Sequence, residues 1–127
     1  MDETTLITQK INPYILAMTG GMLVDNDCPE EITNVVMLQI LSQLKKQGVN
    51  ANEMLTRKET HLPPVTFSIP VGYVTVIGEY CIKAMDTEPG GTQVLVKAWL
   101  PFFSEALNLA EADDIKINRG GLEYGTN

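Results

Sequence analysis

Residues 65–103 read VTFSIPVGYVTVIGEYCIKAMDTEPGGTQVLVKAWLPFF, and whether this stretch forms strands or helices decides the fold. Val65, Phe67, Ile69 and Val71 alternate with Thr66, Ser68 and Pro70, the period of a strand with one buried face. Pro70 marks an edge or an end of that strand. Tyr73 to Ile77 continues the apolar run after Gly72, and Glu88-Pro89-Gly90-Gly91 is a strong turn signal between two further apolar segments, Glu79–Asp86 and Thr92–Trp99. The expectation is a sheet built around a hairpin at that turn. The rival reading makes residues 71–86 and 92–111 two long helices, since Val71, Val74, Ile77, Cys81 and Met85 also share a helical face. Two features weigh against it. Pro101 would sit inside the second helix at a cost of about 3 kcal/mol, and the β-branched density favours strands. A helix starting at Pro101 would align Phe103, Ala106, Leu107 and Ala110.

Upstream, Ile7, Ile11, Tyr14/Ile15 and Met18 have helical spacing, which predicts a helix over Thr4–Met18. That helix either kinks at Pro13 or starts afresh at Asn12-Pro13, and Gly20-Gly21 is expected to end it. The clearest helix follows Asp27, a capping-box residue with Glu30. Ile32, Val36, Ile40 and Leu44 form its stripe, and Val35, Met37 and Leu41 widen it, which predicts burial on more than one side. Lys45-Lys46 and Gly48 close it. Asn50 and Glu53 predict a second cap, and a short helix over Ala51–Lys58 anchored by Met54 and Leu55. Downstream, Ile115-Lys116-Ile117-Asn118 reads as a short strand. The predicted fold is α+β in a single domain over residues 1–127. N-terminal helices come first, then an antiparallel sheet with a central hairpin, a helix and a short C-terminal strand, with an all-α bundle as the alternative.

The chain is acidic, with net charge −7. Its guanidinium groups are Arg57 and Arg119, and its basic clusters are Lys45-Lys46 and Arg57-Lys58, which makes nucleic acid the lesser reading for a partner. Met1-Asp2-Glu3-Thr4-Thr5 is unlike a secretory leader, and no apolar run approaches the roughly 20 residues a spanning helix needs. A soluble protein made in the cytoplasm, with no membrane partner, is expected. Cys28 and Cys81 are read as free thiols.

The residues that could carry chemistry have ordinary explanations. Asp25, Asp27, Glu30 and Glu31 lack the glycine and distal Glu of a calcium loop, and two distant cysteines with one histidine do not make a zinc site. Neither a metal nor a cofactor is implied. Cys81 with His61 as base and Glu79 or Asp86 as orienting group is the one nucleophile arrangement worth stating, but no local signature surrounds it, and a free cysteine is usually core. Thr19-Gly20-Gly21 and Gly90-Gly91 do not form a phosphate loop.

The candidate partner-binding residues are Trp99, Phe102 and Phe103 around Pro101, followed by the acidic Glu105, Glu111, Asp113 and Asp114. Large aromatics dominate both interfaces and cores, so packing where a strand turns into a helix is the plain alternative for the three rings. Charge is segregated. Residues 1–31 carry six acids and one base, and residues 45–58 carry four bases and Glu53. Such a layout can steer a basic partner or join copies head to tail.

The sequence points first to a non-enzymatic interaction module, a structural or adaptor subunit of a larger assembly such as a phage or virion complex, with protein partners and a homo-oligomer expected. No small-molecule substrate is inferred. An acidic inhibitor or immunity-type protein that masks a basic partner is the alternative, and a small cysteine-dependent enzyme is the third reading.

Overall fold

The computed structural model describes the backbone of residues 2–126 and the side chains of residues 2–112. Among the described residues the fold is α+β, with five helices and one two-stranded antiparallel sheet. The order is β1 (Leu6–Ile11), α1 (Pro13–Asp25), α2 (Glu30–Lys46), α3 (Ala51–Arg57), β2 (Val65–Pro70), α4 (Val71–Met85) and α5 (Pro89–Thr126).

The helix expected from Thr4 begins only at Pro13, and the residues before it form β1. Proline disfavours the helical region for the residue preceding it, and Asn12 is accordingly extended (φ −60°, ψ 124°). Its side-chain oxygen accepts from the backbone N–H of Tyr14 (2.9 Å) and Ile15 (3.3 Å), a cap worth about 1 kcal/mol. Upstream, Ile7 and Ile11 point inward as a strand requires. Nor does Gly20-Gly21 end α1, which runs on to Asp25. Gly20 serves close approach instead: a Cβ there would collide with the thioether of Met37 on α2.

Asp27 does not cap α2. It takes a left-handed turn (φ 61°), Pro29 occupies the cap position without a side-chain bond, and Glu30 and Glu31 supply the favourable charge in the first turn. α2 is buried along one face only, through Thr33, Val36, Ile40 and Leu44, while Val35, Leu38 and Leu41 face solvent. The wider burial expected there holds at Met37, which packs partly buried against the core, and is corrected at Val35 and Leu41. Gly48 (φ 79°) ends the segment as expected. Asn50 accepts from the N–H of Glu53 at 3.0 Å and caps α3, whose anchor Met54 is buried.

β2 is the strand its period-two pattern promised, with Val65, Phe67 and Ile69 buried. It pairs antiparallel with β1, Ile7 opposite Ile69 and Gln9 opposite Phe67. The sheet goes no further among the described residues, and the central hairpin is overturned. Residues 71–85 form α4, burying Val71, Val74, Ile77, Cys81 and Ala84 on one face. Pro89 of the expected turn is the first residue of α5, a position where its missing N–H costs nothing. α5 passes through Pro101 and continues through Ile115–Asn118, so the short C-terminal strand is replaced by helix.

Packing decides both cases. Strand propensity spans only about 1 kcal/mol, while each large side chain removed from water contributes about 1.5–3 kcal/mol. The proline penalty is also softened, because Pro101 lies on the exposed side of α5. The carbonyl deprived of its donor, that of Lys97 one turn earlier, lies on that side as well.

α1 contacts α2 on one side and α4 and α5 on another. Its core residues include Leu16, Ala17, Thr19, Gly20 and Leu23, and a helix with apolar residues on several sides belongs in the interior. The sheet lays Phe67 against Trp99 (ring centroids 6.0 Å, edge-on) and Phe102 (6.1 Å) of α5. The buried indole N–H of Trp99 donates to the hydroxyl of Thr19 at 2.9 Å, and that hydroxyl donates to the carbonyl of Ile15 at 3.1 Å. The core thus leaves neither polar group of this pair unpaired.

Candidate functional site

α5 carries two apolar stripes because residues at helical spacing fall on both its flanks. Thr92, Leu95, Trp99 and Phe102 form the inner stripe and are buried. Val96, Leu100, Phe103 and Leu107 form the outer stripe, with Leu100 54% and Leu107 63% exposed. α4 runs beside this outer flank and offers Gly78, Ile82 and Met85 to it. An open cleft of about 710 Å³ lies between the two helices, floored by Gly78, Cys81, Val96 and Phe103 and walled by Ile82 and Met85. Gly78 sets its depth: a Cβ there would lie 3.5 Å from the ring of Phe103. Ile82 is 74% exposed on its wall. Polar groups stand at the margins, Glu79 on α4 with Gln93 and Lys97 on α5.

The structure separates the residues singled out from sequence. Trp99 and Phe102 are fully buried and serve the core. Phe103 is half-buried, stacked 6.4 Å from Trp99, and is the ring of the three that reaches the cleft. Glu105 accepts from the side-chain amide of Gln9 on β1 at 2.8 Å. Glu111 is exposed, and the side chains of Asp113 and Asp114 lie outside the described residues. Ile82, Leu100 and Leu107 were missed, although the double stripe of α5 was readable once residues 92–107 were placed on one helix.

The nucleophile arrangement gains no support from its surroundings. Cys28 and Cys81 are buried free thiols, and burial pushes the Cys81 thiol up to about 11, far from the range of a reactive cysteine. His61 stands exposed in the loop between α3 and β2. The phenol of Tyr80 is also pushed up, first by desolvation and then by the neighbouring Cys28. Among the described residues no group of three or more metal-ligating side chains converges, and no helix is long and apolar enough to cross a membrane. Arg57 of the second basic cluster pairs with Glu53 at 2.8 Å on the surface.

What the cleft offers is apolar surface with a polar rim, the composition of a protein-docking site. Comparison of the chain with models of protein families, with curated proteins and with solved structures finds no match in any of the three.

Proposed function

We propose that this chain is a non-enzymatic protein–protein interaction module, a structural or adaptor subunit of a larger assembly such as a phage or virion complex. It would be made in the cytoplasm and dock through the cleft between α4 and α5. The observation that supports this reading is the outer stripe of α5: Val96 and Phe103, partly buried, line the cleft opposite Ile82 and Met85, and Leu100 and Leu107 extend the same stripe into water. Isolated exposed apolar residues are ordinary, but a row at helical spacing is the pattern by which helices recognise helices.

The first occupant proposed is a second copy of the same chain. A two-fold axis parallel to the helices would lay α4 of one protomer on α5 of the next, bringing Glu79 towards Lys97 across the interface. The cleft would then be self-complementary in charge as well as apolar. Light scattering on a sizing column at low and high salt tests this reading. A discrete oligomer at both salts supports it, since apolar contacts resist screening. A monomer at both contradicts self-association and transfers the proposal to the acidic inhibitor, which the net charge of −7 favours.

A further inference from the structure

The two edges of the sheet are treated differently. On the β2 side, Gln43 on α2 and Gln47, which caps the C-terminal end of α2 one turn later, act as a substitute strand. The Gln43 amide donates to the carbonyl of Ser68 (2.6 Å) and accepts from its N–H (2.8 Å). Gln47 does the same with Thr66, donating at 2.7 Å and accepting at 3.0 Å. Thr66 and Ser68 therefore turn their backbone groups towards α2, and Val65, Phe67 and Ile69 turn theirs towards Ile11, Gln9 and Ile7. By the same alternation, Leu6, Thr8 and Lys10 direct their N–H and C=O groups away from β2. Among the described residues no hydrogen bond reaches those groups.

A groove of about 510 Å³ runs beside the Lys10 end of this open edge. Ile11, Val94, Ala98 and Pro101 give it an apolar floor, and Lys10 and Lys97 stand on it. Val94 is half exposed. Backbone groups in strand register, an apolar floor for alternate side chains and two ammonium groups are the parts of a strand-addition site.

We propose that the outer edge of β1 binds an extended acidic peptide segment as a third strand. The charges at the Lys10 end of the edge select this occupant, the carboxylate of Glu105 further along being held by the amide of Gln9. A lysine on an open edge discourages pairing with neutral or basic strands, and the same lysine, joined by Lys97, favours a strand carrying Glu or Asp. Lys97 stands at the margin of both this groove and the cleft between α4 and α5, while Lys10, Val94, Ala98 and Pro101 line the groove alone and tell the two sites apart.

The probe is a pair of synthetic peptides of one alternating Val/Thr sequence, one with Glu and one with Lys at the polar positions, titrated into the isotopically labelled full chain. The expected result is binding of the Glu peptide alone, with the largest amide shifts at Leu6, Thr8 and Lys10. Replacing both lysines (Lys10→Glu with Lys97→Glu) is expected to weaken binding by about tenfold. Thr8→Pro removes an outward N–H and spares the backbone ladder between β1 and β2, losing only the hydroxyl contact of Thr8 with Ser68 (2.7 Å), and is expected to abolish binding. Should that variant not fold, Lys10→Glu alone, which lies outside the cleft between α4 and α5, still reads the charge contribution, about threefold. Equal binding of the two peptides, shifts confined to the α4/α5 cleft, or no binding of the Glu peptide at millimolar concentration would overturn the proposal.

Discussion

Trp99 and Leu107 stand on the same helix and meet opposite fates. Trp99 packs against Phe67 and Phe102, bonds Thr19 and is wholly buried. Leu107, further along and on the other flank, is 63% exposed. Both are large and apolar, so burial here is decided by position around the helix and not by residue type. The inner stripe of α5 holds the fold together; the exposed members of the outer stripe, Leu100 and Leu107, contribute little to it and remain available.

The largest effect should come from the inner stripe. Trp99→Ala removes the biggest buried side chain and its contacts with Phe67, Phe102 and Phe103, and should lower stability by about 3–5 kcal/mol in urea denaturation. A loss below about 1 kcal/mol would mean the inner stripe is not the core it is taken to be. At the boundary between the stripes, Gly78→Ala should raise stability by about 0.5–1 kcal/mol. Glycine in a helix interior costs that much, and the added methyl would meet Phe103 at 3.5 Å, an ordinary contact. The same methyl narrows the cleft, so self-association should weaken while the melting temperature rises.

Cys81 gives the comparison a pH signature, because it floors the cleft from the core side. Its thiol ionises near 11 in the folded chain, above its ordinary value of 9.0. Between those values the unfolded chain releases a proton that the folded chain keeps, so stability falls as pH rises through that window. Below it the thiol is protonated in both states and no stability is lost. Cys81→Ala should flatten this decline in denaturation curves recorded from pH 8 upward, and an unchanged slope would place its cause elsewhere, with Tyr80 the next group pushed up.

β2 was legible because prolines bracket it and period two is unambiguous over Val65–Ile69. Residues 71–85 were not, since Val71, Val74 and Ile77 satisfy a helical face while Thr75 and Val76 carry strand propensity. Local preference loses there to the burial that α1 and α5 provide. Asn12-Pro13 was readable as a helix start, and the strand before it was obscured because Ile7 and Ile11 also fit a helix. Pro101 misled because the penalty of an interior proline was taken in full, although the affected carbonyl faces out. At the candidate site, Phe103 was named from sequence for its aromatic ring alone. Leu107 could emerge once residues 92–107 stood on one helix, and Ile82 only once α4 and α5 were known to be neighbours. The paired glutamines at the C-terminal end of α2 looked like solvated polar residues, and their spacing of one turn was the signal that they reach two alternate residues of one strand.

The central claim is that the outer stripe of α5 and the facing wall of α4 serve association and not folding. The most direct test is the double variant Ile82→Glu with Leu107→Glu, measured for urea midpoint and for absolute mass beside the unaltered chain. Both side chains are mostly exposed, so each change should alter stability by no more than about 0.5 kcal/mol, while the oligomer should dissociate to monomer. A double variant that loses several kcal/mol, or one that keeps the mass of the unaltered chain, would contradict the account.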